Sequence, residues 1–150
     1  MSETMTSVGH PDPARAARLR LLALASSAEL ETLFASLPAK PDYVHVRKPE
    51  TGLALVRARA GGVGQRFNLG EATMTRCTVR LDNGRIGQGH VLGRSARQAE
   101  LVAVLDAVLQ DVDSEGLLAT LAASLAERRR QKAEKSAATK VEFFTVARQN

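Results

Sequence analysis

Residues 69–92 read LGEATMTRCTVRLDNGRIGQGHVL, and this stretch decides the fold. Its first part alternates with a period of two. Thr73, Thr75, Cys77, Val79 and Leu81 fall on one face, and Met74, Arg76, Thr78 and Arg80 on the other. Strict alternation over that length predicts a strand from Leu69 to Leu81. Asp82-Asn83-Gly84 then predicts a hairpin, because Asn-Gly tolerates the positive φ that tight turns require. Ile86 to Leu92 returns as the partner strand. An antiparallel hairpin at the middle of the chain, with helical periodicity on both sides of it, points to an α+β fold.

Upstream, Tyr43 to Arg47 is a short extended piece, Pro49-Glu50-Thr51-Gly52 has turn composition, and Leu53 to Ala60 alternates again. Before these lie two predicted helices. The first opens at Pro13, since proline at the first helical position loses no needed hydrogen bond. The second opens with the capping box Ser26-Ser27-Ala28-Glu29 and stops at Pro38. Downstream, Ser95-Ala96-Arg97-Gln98 reads as another capping box. It leads a helix to Gln110 whose wide stripe (Leu101, Val104, Leu105, Val108) suits packing on a sheet. A fourth helix carries Leu117, Leu118, Leu121 and Leu125 and runs into the basic stretch Arg128 to Lys135. Val141 to Val146 is β-prone and holds Phe143 and Phe144. The expected organisation is a flexible tail over residues 1–12, one α+β domain over 13–127, and an extended C-terminal arm over 128–150. That arm would dock on a second copy or a partner, because two phenylalanines are costly to leave in water.

The chain has 150 residues, 44% hydrophobic and 25% charged, but only 3% aromatic. It can build a core, and that core must be aliphatic. No run reaches a membrane span, and the polar N-terminus has no apolar signal region, so a cytoplasmic protein is expected. The single cysteine, Cys77, excludes an internal disulfide and a cysteine-rich metal site. His10, His45 and His90 are far apart in sequence, and no metal site is expected from them. Cys77 reads as a small buried hydrophobe more readily than as a nucleophile.

The net charge is +5, yet residues 40–97 hold 11 Lys and Arg against 4 acids. An anionic partner is expected for this middle third. The loop Gly61-Gly62-Val63-Gly64 fits neither a P-loop nor a dinucleotide fingerprint. Two readings stand: a flexible strand connection, or a backbone nest flanked by guanidiniums that holds a phosphate. Arg57 and Arg59 share one strand face, and Arg76 and Arg80 share another strand's. Together with Gly61, Gly62, Gly64, Arg66, Glu71 and Arg94 they form the expected phosphate, ligand or partner surface. Catalytic residues are not assigned. Nucleic acid fits poorly, since Tyr43 and Phe67 are the only aromatics of the basic third available to stack bases.

The string is identified as resembling a known family on Pro49-Glu50-Thr51-Gly52-Leu53, Arg57-Ala58-Arg59-Ala60-Gly61-Gly62-Val63-Gly64 and Phe67-Asn68-Leu69-Gly70-Glu71-Ala72-Thr73-Met74-Thr75-Arg76. Val79-Arg80-Leu81, Val91-Leu92-Gly93-Arg94, Ala99-Glu100-Leu101 and Val141 to Arg148 continue it. This pattern resembles the PhnG subunit family of the bacterial carbon–phosphorus lyase system. The resemblance implies partners of the PhnH, PhnI and PhnJ types, and a homodimer within the complex. It implies participation with PhnI, PhnH and PhnL proteins in phosphonate activation. There the ribose triphosphate group of ATP passes to methylphosphonate, adenine leaves, and alpha-D-ribose 1-methylphosphonate 5-triphosphate forms. Iron–sulfur radical cleavage belongs to PhnJ, and glycosyl chemistry to PhnI. This subunit would bind no cofactor alone, ATP being a substrate of the complex. Two positions depart from the family pattern: Val63 stands where Thr is usual, and Gln98 where His is frequent. The rival readings are a small transferase with its own nucleotide site and a stand-alone nucleotide- or RNA-binding module.

Overall fold

A computed structural model describes residues 12–112 and 115–139 of the chain. The elements in order are α1 (Pro13–Leu24), α2 (Ser27–Ala35), β1 (Tyr43–Arg59), β2 (Arg66–Leu81), β3 (Ile86–Leu92), α3 (Ala96–Val108) and α4 (Glu115–Ala138). The three strands form one antiparallel sheet in the order β1-β2-β3. The expected α+β architecture is present. The segment Val141 to Val146 lies outside the described residues, as does nearly all of the expected N-terminal tail.

Local signals account for several boundaries. Asp12 caps α1 by accepting from the Ala14 N–H, with Pro13 as first helical residue. Ser26 and Glu29 form the full reciprocal box at α2. The β2–β3 connection turns through Gly84 at φ +85°, and Asn83 accepts from the Arg85 N–H. Ser95 caps α3 through the Gln98 N–H, but the Gln98 side chain does not return the bond. It donates instead to the Ala25 carbonyl, tying the start of α3 to the end of α1. The second predicted capping box is thus half a box, because a tertiary acceptor competes for the amide.

Two further expectations are corrected. Pro49-Glu50-Thr51-Gly52 is not a turn: β1 runs unbroken through it, and the irregularity is taken up by register shifts between His45 and Arg47 and between Arg47 and Glu50. Proline is tolerated because β1 is an edge strand, where its missing N–H removes no ladder bond. The second correction concerns α3. A Cβ on Gly87 would strike the Ala103 carbonyl oxygen, and a Cβ on Gly89 the Ala99 carbonyl oxygen. The helix therefore meets β3 through Ala99, Ala103 and Ala107. The larger residues Leu101 and Leu105 lie roughly 160° round the helix from Ala103, at about 100° per residue. They face away from β3. α1 and α2 pack on α3, and α4 packs on α1. An apolar helix enclosed this way is buried on nearly all sides, and Ala99 and Leu101 to Ala107 are all buried. Leu22, Leu30, Leu101, Leu105, Val79 and Val91 make the centre of an aliphatic core.

α4 continues without a break past residue 127, and Arg128 is tied back to the body through Glu29 and the Leu24 carbonyl. Burial works to raise the Glu29 carboxyl. The bonds from Ser124, from the Ser26 N–H and hydroxyl, and the Arg128 charge outweigh it and bring it down to about 2. A value depressed in the folded state stabilises the fold above the unfolded value of about 4.5, and that contribution is lost as pH falls toward 2. Glu29→Gln is expected to flatten the acid limb of a melting-temperature profile between those two values while leaving its shape near neutrality unchanged. A variant profile that falls as steeply as wild type would refute the assignment.

Candidate functional site

β3 pairs with β2 only from Arg80↔Ile86 to Met74↔Leu92. Beyond that point β1 and β2 continue alone as a two-stranded ribbon, from Leu53↔Thr73 to Arg59↔Arg66. At roughly 3.3 Å per residue, the ribbon projects about 20 Å past the end of β3. Its turn is a short 3-10 segment at Ala60–Gly62, closed by the Gly64 N–H on the Ala60 carbonyl at 2.8 Å and the Ala60 N–H on the Gln65 carbonyl at 3.3 Å. Gly61 and Gly62 take φ values of +58° and +82°, which a side chain would resist.

The register separates the arginines. Directly paired residues share a face, and successive residues alternate. Thr51↔Thr75, Leu53↔Thr73, Leu55↔Glu71, Arg57↔Asn68 and Arg59↔Arg66 therefore occupy the face continuous with the core side of the sheet. Arg76, paired with Glu50, and Arg80, paired with Val44, occupy the opposite face. The expected single surface of Arg57, Arg59, Arg76 and Arg80 does not form. Arg76 is moreover neutralised locally, since its Nε donates to Glu50 at 2.5 Å and Arg47 donates to the same carboxylate. Glu50 is correspondingly held below the usual carboxylate range, first by Arg76 and then by Arg47.

What the fold does bring together is a ribbon tip carrying Arg57, Arg59 and Arg66 around Gly61, Gly62 and Gly64. Arg59 donates to the Gly64 carbonyl at 3.4 Å, and none of the three guanidiniums has a carboxylate partner among the described residues. Arg59 and Arg66 face each other across the ladder, an arrangement of like charges that destabilises a strand pair by itself. Glu71 sits further back on the same face, opposite Leu55. Arg94 is exposed in the β3–α3 connection, away from the tip. Val63 lies at the tip and is 92% exposed.

A second cluster had no signal in the linear sequence. Tyr43 and His45, on β1, both reach Glu100 on α3, the tyrosine hydroxyl donating at 3.0 Å and His45 Nε2 lying 2.9 Å away. Arg97 bonds Glu100 and also Glu31. Burial works to raise the Glu100 carboxyl, but bonds from Arg97, Tyr43 and His45 outweigh it and hold it below the usual range. The partners are 55 and 57 residues apart, so only the tertiary fold could join them. The cluster fastens the start of β1 to α3. Cys77 is buried, and burial followed by the Glu100 charge pushes its thiol up to about 11, the wrong direction for a nucleophile. Among the described residues no group of three or more His, Cys, Asp or Glu is placed to hold a metal ion. A mostly apolar cleft of about 520 Å³ between α2 and α4 includes none of the sequence-predicted site residues. Among the described residues no helix is long and apolar enough to cross a membrane.

The architecture is thus a helix-backed three-stranded sheet extended by a basic-tipped ribbon. Residues 13–149 match the family described as phosphonate metabolism protein PhnG. The chain is also 46% identical over 134 residues to the alpha-D-ribose 1-methylphosphonate 5-triphosphate synthase subunit PhnG of Rhizobium meliloti (strain 1021), covering 87% of this chain and 86% of that protein. The chain belongs to the PhnG family of phosphonate metabolism proteins.

Proposed function

We propose that this chain is the PhnG-type subunit of a synthase that makes alpha-D-ribose 1-methylphosphonate 5-triphosphate in the carbon–phosphorus lyase pathway. The observation that carries the reading is the similarity along nearly the full length to a protein bearing that subunit name. In the reaction the bond between the ribose C1′ of ATP and adenine breaks, and a phosphonate oxygen takes the C1′ position. PhnH, PhnI and PhnJ types are the partners, with a second copy of this chain in the assembly, in the cytoplasm. The segment 128–150 belongs to the same proposal, as contact with that second copy or a partner.

The subunit's own part is structural, and ATP is bound by the assembled complex rather than by this chain alone. Two features support this division. The Cys77 thiol is buried and held protonated, and the Tyr43, His45 and Glu100 side chains are engaged with one another and with Arg97. Phosphate readings of the arginines as one surface are not supported by the strand register.

The test is reconstitution from this chain with PhnH-, PhnI- and PhnL-type subunits, ATP and methylphosphonate, following adenine release and the phosphorus spectrum of the product. Leaving this chain out is expected to lower product formation at least 100-fold, and the chain alone is expected to give no calorimetric signal with ATP. Undiminished turnover without it refutes the subunit reading, and adenine release by the isolated chain refutes the division of labour.

A further inference from the structure

The β1–β2 ribbon is anomalous for a water-exposed element. A two-stranded ribbon without a third strand or a covering helix is marginal in water. This one displays apolar side chains on both faces, with Leu53 and Leu69 at 68% and 63% exposure. On the face opposite the arginines, Gly52↔Met74, Ala54↔Ala72, Val56↔Gly70 and Ala58↔Phe67 follow one another with no charged residue. Both edges are also open, since among the described residues no strand pairs with the outer side of β1 or with β2 before Met74. Apolar faces, unpaired edges and facing arginines each raise the free energy of the isolated ribbon. All three are relieved by one event, burial in another chain.

The charge pattern identifies the occupant. Relief of the Arg59–Arg66 repulsion requires anionic groups at the tip. A second copy of this chain is a poor source of them, because it carries a net charge of +5 and because Glu29, Glu31, Glu50, Glu100, Asp106, Asp111, Glu127 and Glu134 each already hold an arginine. We propose that the β1–β2 ribbon is an insertion arm, taken up by a different subunit of the synthase in an apolar channel that ends in aspartate and glutamate side chains around Arg57, Arg59 and Arg66. Apolar contact along the body then supplies the affinity, and the tip supplies register and discrimination among partners. The inference rests on the subunit reading above.

The experiment uses the co-expressed complex, pulled down through a tag on a partner subunit. Two variants of the full chain are compared with wild type. Leu53→Asp with Leu69→Asp alters the body, and Arg57→Glu with Arg59→Glu and Arg66→Glu reverses the tip. Melting of each variant alone is measured first, and is expected within about 3 °C of wild type because these side chains are outside the core. Recovery of this chain with the complex is expected to fall at least tenfold for both variants, with the loss for the tip variant shrinking as salt is raised. Full recovery of both variants overturns the arm. Light scattering that shows an isolated wild-type dimer split by both variants also overturns it, by making a second copy the occupant. So does a tip variant that assembles fully but binds ATP in the complex tenfold more weakly, which would assign the tip to triphosphate. Wild-type chain that never co-purifies overturns the subunit reading and this inference with it, whereas wild-type recovery beside undiminished variants overturns the arm alone.

Discussion

Gly87→Ala is expected to lower stability by about 2–3 kcal/mol, and Gly89→Ala by a little less, although alanine is ordinarily the better residue in a strand interior. The cause is the approach of α3 to β3. A Cβ at Gly87 would overlap the Ala103 carbonyl oxygen and lie 2.6 Å from the Ala107 nitrogen and 2.8 Å from its Cβ. At Gly89 it would overlap the Ala99 carbonyl oxygen and lie 2.9 Å from the Ala103 nitrogen. All but the Ala107 Cβ are backbone atoms, and that Cβ has no rotamer to change, so the whole helix must lift. Lifting α3 displaces Val102, Leu105 and Leu101, which are almost wholly buried in a close-packed core with no room to receive them. For a domain of this size the expected drop in melting temperature is about 4–10 °C. Gly52 and Gly116 are the controls, since a Cβ at either meets nothing within 4 Å. Gly116→Ala, inside α4, is expected to be neutral or stabilising by up to about 1 kcal/mol. Thermal unfolding of the set decides the matter, and a Gly87→Ala protein as stable as the Gly52→Ala control would show that α3 does not sit where the alanine row puts it.

The same contact shows which features could be read from the residues and which could not. Pro13, the Ser26–Glu29 box, the alternation of Thr75, Cys77 and Val79, and Asn83-Gly84 are local signals, each acting within a few positions, and each matches the structure. The glycines of Ile86-Gly87-Gln88-Gly89-His90 read as ordinary strand positions, because their reason lies on the following helix, at Ala99, Ala103 and Ala107, ten to twenty residues later. Pro49 and Gly52 carried turn composition yet sit in a strand, since an edge position removes the penalty on proline. The arginine site failed for a related reason. Sequence spacing correctly placed Arg57 with Arg59 and Arg76 with Arg80, but whether two strands present their pairs to one side depends on register. Shifts near Arg47 and Arg57 set that register. Glu100 was visible only as part of a family pattern, and its engagement with Tyr43 and His45 required the third dimension.

Arg15→Ala is expected to cost about 3–5 kcal/mol, more than any other surface-reaching side chain in the protein, because of what it leaves behind. Asp106 is fully buried on α3. Its Oδ1 accepts from Arg15 Nε at 3.1 Å, and its Oδ2 from Arg15 Nη2 at 2.7 Å and from the Gln88 N–H at 3.0 Å. The Ile86 carbonyl is met by Arg15 and by Gln110 at 2.9 Å. Together these groups close the outer edge of β3, which no strand among the described residues covers, and join α1, α3 and β3 at one point. The bond to Asp106 holds the Arg15 guanidinium above its ordinary value, burial opposing. The two partners are not equivalent. The Arg15 side chain is 34% exposed and the Asp106 side chain 0% exposed. Removing the carboxylate leaves a guanidinium that can turn to water, and Asp106→Ala is expected at the low end, about 3 kcal/mol. Removing the guanidinium strands a buried carboxylate with only the Gln88 N–H for company, and the cost rises. Replacing both, as Arg15→Met with Asp106→Leu, deletes the desolvated charge and is expected to recover most of the loss, although the Gln88 N–H stays unpaired. Urea unfolding of the three proteins gives the ordering. If Asp106→Ala proves the more damaging single change, or if the double variant is worse than Arg15→Ala, the pair owes its place to specificity of the edge contact rather than to the asymmetry of burial argued from these exposures.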